Sequence, residues 1–159
     1  MKIKIKKLNP DAVVPYKTHD SDFCYDVVAT SCEEIAPNVY RYGTGLAFQI
    51  ERGWEKITDH DSYFKTFRSP LKFSIDARPR SSVWKTGMVL SNCTGTIDEE
   101  YTGEVTLVFY HVNPSLPKYE VGDRIGQIKI GVTLPIEFIP VSELNNTERG
   151  EGKEGSTGK

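Results

Sequence analysis

Lysine and isoleucine alternate from Lys2 to Lys6, a period of two that sets Ile3 and Ile5 on one face of a strand and turns the lysines to water. Further β-branched and aromatic runs follow at Tyr25 to Ala29, Thr44 to Ile50, Leu71 to Ala77, Met88 to Ser91, Glu104 to Val112, Arg124 to Ile130 and Ile136 to Val141. Each predicts a strand. Glycine, proline or asparagine breaks nearly every gap. No stretch of a dozen residues repeats its apolar positions at the helical period, and only Ser82 to Thr86 has the makings of one helical turn. Many short strands with turns between them predict an all-β fold, a sandwich, jelly roll or barrel.

Two segments fall outside this pattern. Glu51 to Ser69 is polar and charged yet carries Trp54, Tyr63, Phe64 and Phe67, which suggests an ordered excursion more than a loose loop. Ser142 to Lys159 has Leu144 as its only large apolar residue and ends in glycine-rich charged sequence, so alone it cannot bury enough surface to order itself. A single domain over 1–141, with an insertion at about 51–69, and a mobile C-terminal arm over 142–159 follow from these contrasts and from a length of 159 residues.

Composition narrows the partners. A formal net charge of -2 and a hydrophobic share of 38% describe an ordinary soluble globule without the basic footprint of a polynucleotide binder. No apolar run approaches the roughly 20 residues needed to cross a bilayer, and the charged start is no signal sequence, so no membrane partner and a cytoplasmic location are expected. Cys24, Cys32 and Cys93 are odd in number and lack CxxC spacing, which suggests free thiols.

Candidate chemistry lies in the loops. Pro79 to Ser82 reads PRSS and sets an arginine fork beside two hydroxyls, a pairing that suits phosphate oxygens. Arg149 to Lys159 reads RGEGKEGSTGK, with an arginine, many backbone donors and the hydroxyls of Ser156 and Thr157. It is not a P-loop, because Ser156 stands where that motif needs lysine; composition alone favours a solvated linker. Asn92 to Val105 reads as a hairpin, with Asn92 and Gly95 breaking the preceding strand, Asp98 to Tyr101 as the turn and Gly103 opening the next strand. The backbone edge of such a hairpin can match the O4 acceptor and N3–H donor of uracil, where cytosine presents the reverse. Asp98 is placed to polarise a water and Tyr101 to pack a sugar, although a plain surface hairpin accounts for the segment equally well. Asp20, Asp22 and Asp26 do not form a calcium loop, since its glycine is missing and Ser31 replaces its closing glutamate; Asp26, opening an apolar strand, is left to meet a metal-bound water. In GDRIGQIKI, Gly122 to Ile130, a turn leads into a strand on which Gln127 can donate to phosphate.

The order and spacing of these segments resemble the trimeric dUTP diphosphatases (dUTPases), a family with five short motifs. CYDVVA resembles the first, PRSSVWKTG the second, GTIDEEYTGEV the third, GDRIGQIKI the fourth and RGEGKEGSTG the fifth, together spanning Ser21 to Gly158. The resemblance implies a dUTPase-like jelly roll, a homotrimer with active sites shared between subunits, and a C-terminal arm that closes over a neighbour's site. It implies hydrolysis of dUTP to dUMP and pyrophosphate, which keeps uracil out of DNA and supplies dUMP for dTMP synthesis. Carried over by position, Asp98 would orient and deprotonate the attacking water. Tyr101 would pack the deoxyribose, while Asn92, Gly95, Thr96 and Ile97 would line the base. Arg80, Ser81, Gln127, Arg149, Ser156 and Thr157 would hold phosphate oxygens, Ser82 and Gly155 would also contact the substrate, and Asp26 would touch Mg2+ through water.

The fifth motif departs from the family: Glu154 holds the place of an aromatic, usually phenylalanine, that stacks on uracil, and Lys153 replaces a glycine. Cys24 and Ser82 also stand where glycine is usual. Two rivals are weighed. A dCTP deaminase would need a proton-shuttling glutamate where Val108 stands, and an arginine where Lys85 stands. A non-catalytic nucleotide-binding regulator would act on a protein partner through 51–69.

Overall fold

The computed structural model describes residues 1–51, 71–147 and 150. Among these residues ten strands run in chain order: β1 Lys2–Lys7, β2 Tyr25–Val28, β3 Ser31–Ala36, β4 Val39–Gly43, β5 Leu46–Glu51, β6 Lys72–Arg78, β7 Met88–Leu90, β8 Gly95–Asp98, β9 Thr106–His111 and β10 Arg124–Thr133. They form two four-stranded sheets, ordered β2-β10-β6-β8 and β3-β4-β9-β7, and a separate pair, β1-β5. Every pairing is antiparallel. Both sheets close on one core, the jelly-roll arrangement expected. Val27, Ile75, Ala77 and Ile125 enter it from the first sheet, and Tyr42, Leu107 and Phe109 from the second. Three aromatic rings meet edge to face there, Tyr42 with Phe109 at 5.9 Å and Phe109 with Tyr119 at 5.4 Å between centroids. The Tyr42 hydroxyl donates to the Tyr119 carbonyl at 2.8 Å, which ties the β9–β10 connection to the core.

Most of the expected strands are present, and three differences have physical causes. Asn92 to Val105 is not one hairpin: β8 pairs with β6, whereas β9 pairs with β4 and β7. The chain crosses from one sheet to the other at the Asp98–Tyr101 turn, a choice that local turn chemistry does not encode. Ile136 to Val141 forms no strand, and its apolar side chains lie exposed, Phe138 by 86%. Conversely, β3 escapes an apolar-pattern reading because all six of its residues are exposed. Its partner β4 did carry a signal, the Val-Tyr-Arg-Tyr alternation that buries Tyr40 and Tyr42 and exposes Arg41. The expected helical turn is a single 3-10 turn, Ser81–Lys85. Of the insertion, only Glu51 lies within the described residues.

The register of β10 positions the site. Its pairing with β2 shifts between Arg124 and Gly126, a β-bulge. Side chains three apart on a regular strand point to opposite faces, yet Ile125 and Ile128 both enter the core. Arg124 and Gln127 are consequently both turned to the outer face. Glycine is required at the bulge: a Cβ on Gly126 would lie 2.5 Å from Leu107 Cδ2 and 2.9 Å from the Arg78 carbonyl oxygen. Gly126→Ala is therefore expected to cost about 1–3 kcal/mol by overpacking, read as a lower urea midpoint; an unchanged midpoint would show that the bulge is not held by this contact.

A carboxylate-centred cluster as candidate active site

On the outer face of the first sheet, Asp26 of β2 sits opposite Gln127 of β10, which in turn sits opposite Arg78 of β6. Asp26 is only 4% exposed. A lone buried carboxylate is costly, so its partners must come to it. Gln127 Nε2 donates to Asp26 Oδ1 at 3.0 Å and Arg124 Nη1 to Oδ2 at 2.9 Å. Arg80 Nε lies 3.3 Å from Oδ1 as an ion pair, without hydrogen-bond geometry. Arg124 Nη1 also reaches the Thr18 hydroxyl at 3.3 Å, and Tyr16 bridges to Asp26 through the backbone, so the amino-terminal loop closes over the carboxylate.

Arg80 stands just before the 3-10 turn in an extended conformation, and its carbonyl accepts from the Val83 N–H at 3.0 Å. Ser81 is exposed and Ser82 half-buried on that turn. The first, second and fourth motifs thus meet: Asp26, Arg80 with its two serines, and Gln127 share one end of the sheet. Arg124 belongs with them although it was absent from the residues expected. Its signal was the three-residue spacing of Ile125 and Ile128, which betrays the bulge.

The third motif lies apart. Asp98 is exposed at the far end of β8, opposite Ser74, and its carbonyl accepts from the Tyr101 N–H at 3.0 Å. Tyr101 is half-exposed, and its hydroxyl donates to the Glu104 carbonyl at 3.1 Å. Thr96 and Ile97 sit opposite Asp76 and Ile75, so Ile97 points to the core and Thr96 outward. Gly95 opposes Ala77 and packs near Asn92, where an added Cβ would stand 3.2 Å from the amide nitrogen. Counting four residues along the strands and two strand spacings across, about 16 Å separates Asp98 from Gln127. Asp76 lies midway, its Oδ2 3.2 Å from Lys129 Nζ and its Oδ1 accepting from the Ser74 hydroxyl at 2.9 Å. Arg149, Gly155, Ser156 and Thr157 lie outside the described residues.

Among the described residues, no group of three or more His, Cys, Asp or Glu side chains is gathered to cage a metal ion. A carboxylate offers about four lone-pair positions; at Asp26 two accept hydrogen bonds, from Gln127 and Arg124, and Arg80 adds an ion pair. The donor set fits a magnesium ion held by phosphate oxygens, with room for one water-linked contact to Asp26.

An all-β jelly roll that draws arginines, two serines and an amide to one end of a sheet carries donors suited to phosphate oxygens. Comparison with known proteins makes this specific. The dUTPase family model matches residues 73–158, more than half of the 159 residues. The deoxyuridine 5'-triphosphate nucleotidohydrolase of Nautilia profundicola is 37% identical over 164 residues, spanning all of both chains. That of Hydrogenobaculum sp. is 32% identical over 166 residues, spanning 99% of each. Among solved structures, the dUTPase of Staphylococcus bacteriophage 80alpha with dUpNHpp shares the fold with a TM-score of 0.73 at 22% identity, covering 99% of each chain. The dUTPase from phage phi11 of S. aureus has a TM-score of 0.65 at 18% identity, covering 92% of this chain and 100% of its own. The chain belongs to the dUTPase family, whose members are hydrolases.

Asp26→Asn would leave two guanidinium groups facing a neutral amide. Breaking a buried pair costs about 3–5 kcal/mol, and the exposure of Arg124 places this case near the lower end. Urea unfolding is expected to show a loss of about 3 kcal/mol, whereas a midpoint equal to that of the parent would mean that Asp26 does not organise the cluster.

Proposed function

We propose that the chain hydrolyses dUTP to dUMP and pyrophosphate. The observation that carries this reading is the gathering of Arg80, the two serines after it and Gln127 around Asp26, in a chain of the dUTPase family. Arg80 and Ser81 with Ser82 are set to hold phosphate oxygens, and Gln127 is oriented by Asp26 with a second N–H free for an oxygen. The tail residues Arg149, Gly155, Ser156 and Thr157 complete the phosphate contacts in this reading. Asp98 accepts the proton of the attacking water, which bonds to the α-phosphorus as the bond to the pyrophosphate oxygen breaks. Tyr101 packs the deoxyribose and leaves no room for a 2′-hydroxyl. Asn92, Gly95, Thr96 and Ile97 provide the strand edge on which uracil pairs. Charge neutralisation on the triphosphate is the chemistry that bound magnesium supplies.

The active species in this proposal is a homotrimer with shared sites. Two observations support it. Asp98 stands about 16 Å from Gln127, with the carboxylate of Asp76 between them, so one chain does not carry a nucleotide from base to phosphate along its own sheet. Furthermore, Ile136, Phe138, Ile139 and Val141 are exposed on a segment with strand-forming sequence and no strand partner among the described residues; a neighbouring copy offers both a partner strand and a covered apolar face. The C-terminal arm, 142–159, would then close over a neighbour's site, with the protein working in the cytoplasm.

Purified protein with magnesium is expected to release pyrophosphate from dUTP and far less from dCTP, dTTP or UTP; equal release from all four would refute the assignment of the base edge and Tyr101. Asp98→Asn is expected to lower kcat by about 10²–10⁴-fold, the range for a general base, with dUTP binding retained. Unchanged turnover would remove Asp98 from the base role.

A further inference from the structure

Beside the Asp26 cluster, a cleft of about 500 Å³ opens between the 3-10 turn, the 117–119 stretch and the 122–124 turn. Four cations line it, Arg80, Lys85, Lys118 and Arg124, against one lining carboxylate, Asp123. Asp26 answers the two arginines. Lys85 and Lys118 have no carboxylate within ion-pair distance among the described residues. Their ammonium groups rest over aromatic rings, Trp84 at 5.6 Å and Tyr40 at 4.2 Å, contacts that occupy one side of a group with three donors. Asp123 is itself committed, its Oδ2 accepting from the Glu120 N–H at 2.8 Å.

Tyr119 distinguishes this cleft from a merely charged surface. The residue is 6% exposed, and its hydroxyl, which neighbours the Thr86 side chain, makes no hydrogen bond of regular geometry among the described residues. The Thr86 hydroxyl, also on the cleft wall, gives its proton to the Val83 carbonyl at 2.7 Å. A buried O–H without an acceptor is costly to keep, and burial pushes the Tyr119 hydroxyl above its ordinary value, so it stays a donor at neutral pH. The cleft therefore holds an excess of positive charge and a buried hydroxyl donor.

We infer that this cleft binds pyrophosphate, with Lys118 and Tyr119 as contacts that lie outside all five motifs. The inference rests on the dUTP-hydrolysing reading, since pyrophosphate is the leaving group of that reaction. The cleft shares Arg80 and Ser82 with the proposed phosphate contacts, which sets it next to the leaving group, and its volume of about 500 Å³ exceeds what one orthophosphate needs.

Calorimetric titration of the full chain with inorganic pyrophosphate, without magnesium, tests this. Parent protein should bind pyrophosphate more tightly than orthophosphate or sulfate, and Lys118→Met with Tyr119→Phe should weaken pyrophosphate binding at least about tenfold, the loss expected from one charge-assisted hydrogen bond. The melting temperature of Tyr119→Phe should not fall, because the hydroxyl removed makes no hydrogen bond of regular geometry; a clear fall would show a structural bond there and overturn the inference. Equal affinity in parent and double variant would overturn it too. Parent protein that releases pyrophosphate from dUTP yet binds none when it is added would sink the cleft assignment and leave the hydrolase reading standing. If it does neither, both fail.

Discussion

The bulge at Ile125 and Gly126 is the constraint on which the site depends. Without it, Arg124 and Gln127 would point to opposite faces of β10, and one of them would be driven into the core beside Ile128. With it, two apolar side chains enter the core and two polar ones reach the same carboxylate. The bulge is in turn possible only because Gly126 lets Leu107 and the Arg78 backbone approach. Core packing and site geometry are thus set by one glycine.

Asp26 does for the side chains what the bulge does for the backbone. Burial makes its charge expensive, and the response is a set of short contacts that fix Gln127 and Arg124 and hold Arg80 close. Such fixing matters for phosphate chemistry, where positioning and charge complementarity carry most of the catalysis. The Asp76–Lys129 pair on the same face is satisfied internally, with Ser74 as third member. It lies between the cluster and Asp98.

Local sequence revealed what local physics decides. The Lys-Ile alternation of β1, the aromatic and branched runs of β5, β6 and β9, and the Pro-Arg-Ser-Ser turn are all visible as residues and all present as structure. What escaped was set by distant partners. β3 is a strand because β4 pairs with it, although its own six residues bury nothing. The Asn92 to Val105 segment has the chemistry of a hairpin, but β6 captures its first half and β4 its second. Arg124 was legible only through a three-residue apolar spacing that a strict period of two obscures. The two hydrogen bonds and the ion pair that its own chain supplies to Asp26 are displayed by no motif spacing.

In the proposed reaction the base and the phosphate contacts act on one nucleotide, whereas a single chain sets Asp98 and the Asp26 cluster at opposite ends of a sheet. The proposed trimer would bring Asp98 of one copy to the Asp26 cluster of another. The most direct test mixes two inactive variants, Asp98→Asn and Gln127→Ala, unfolds and refolds them together, and measures pyrophosphate release from dUTP. Random assembly of a symmetric trimer would restore about one quarter of the parental rate, because a site then needs one intact group from each variant. A mixture no more active than its two components assayed apart would mean that base and phosphate contacts serve within a single chain, and would contradict the shared site.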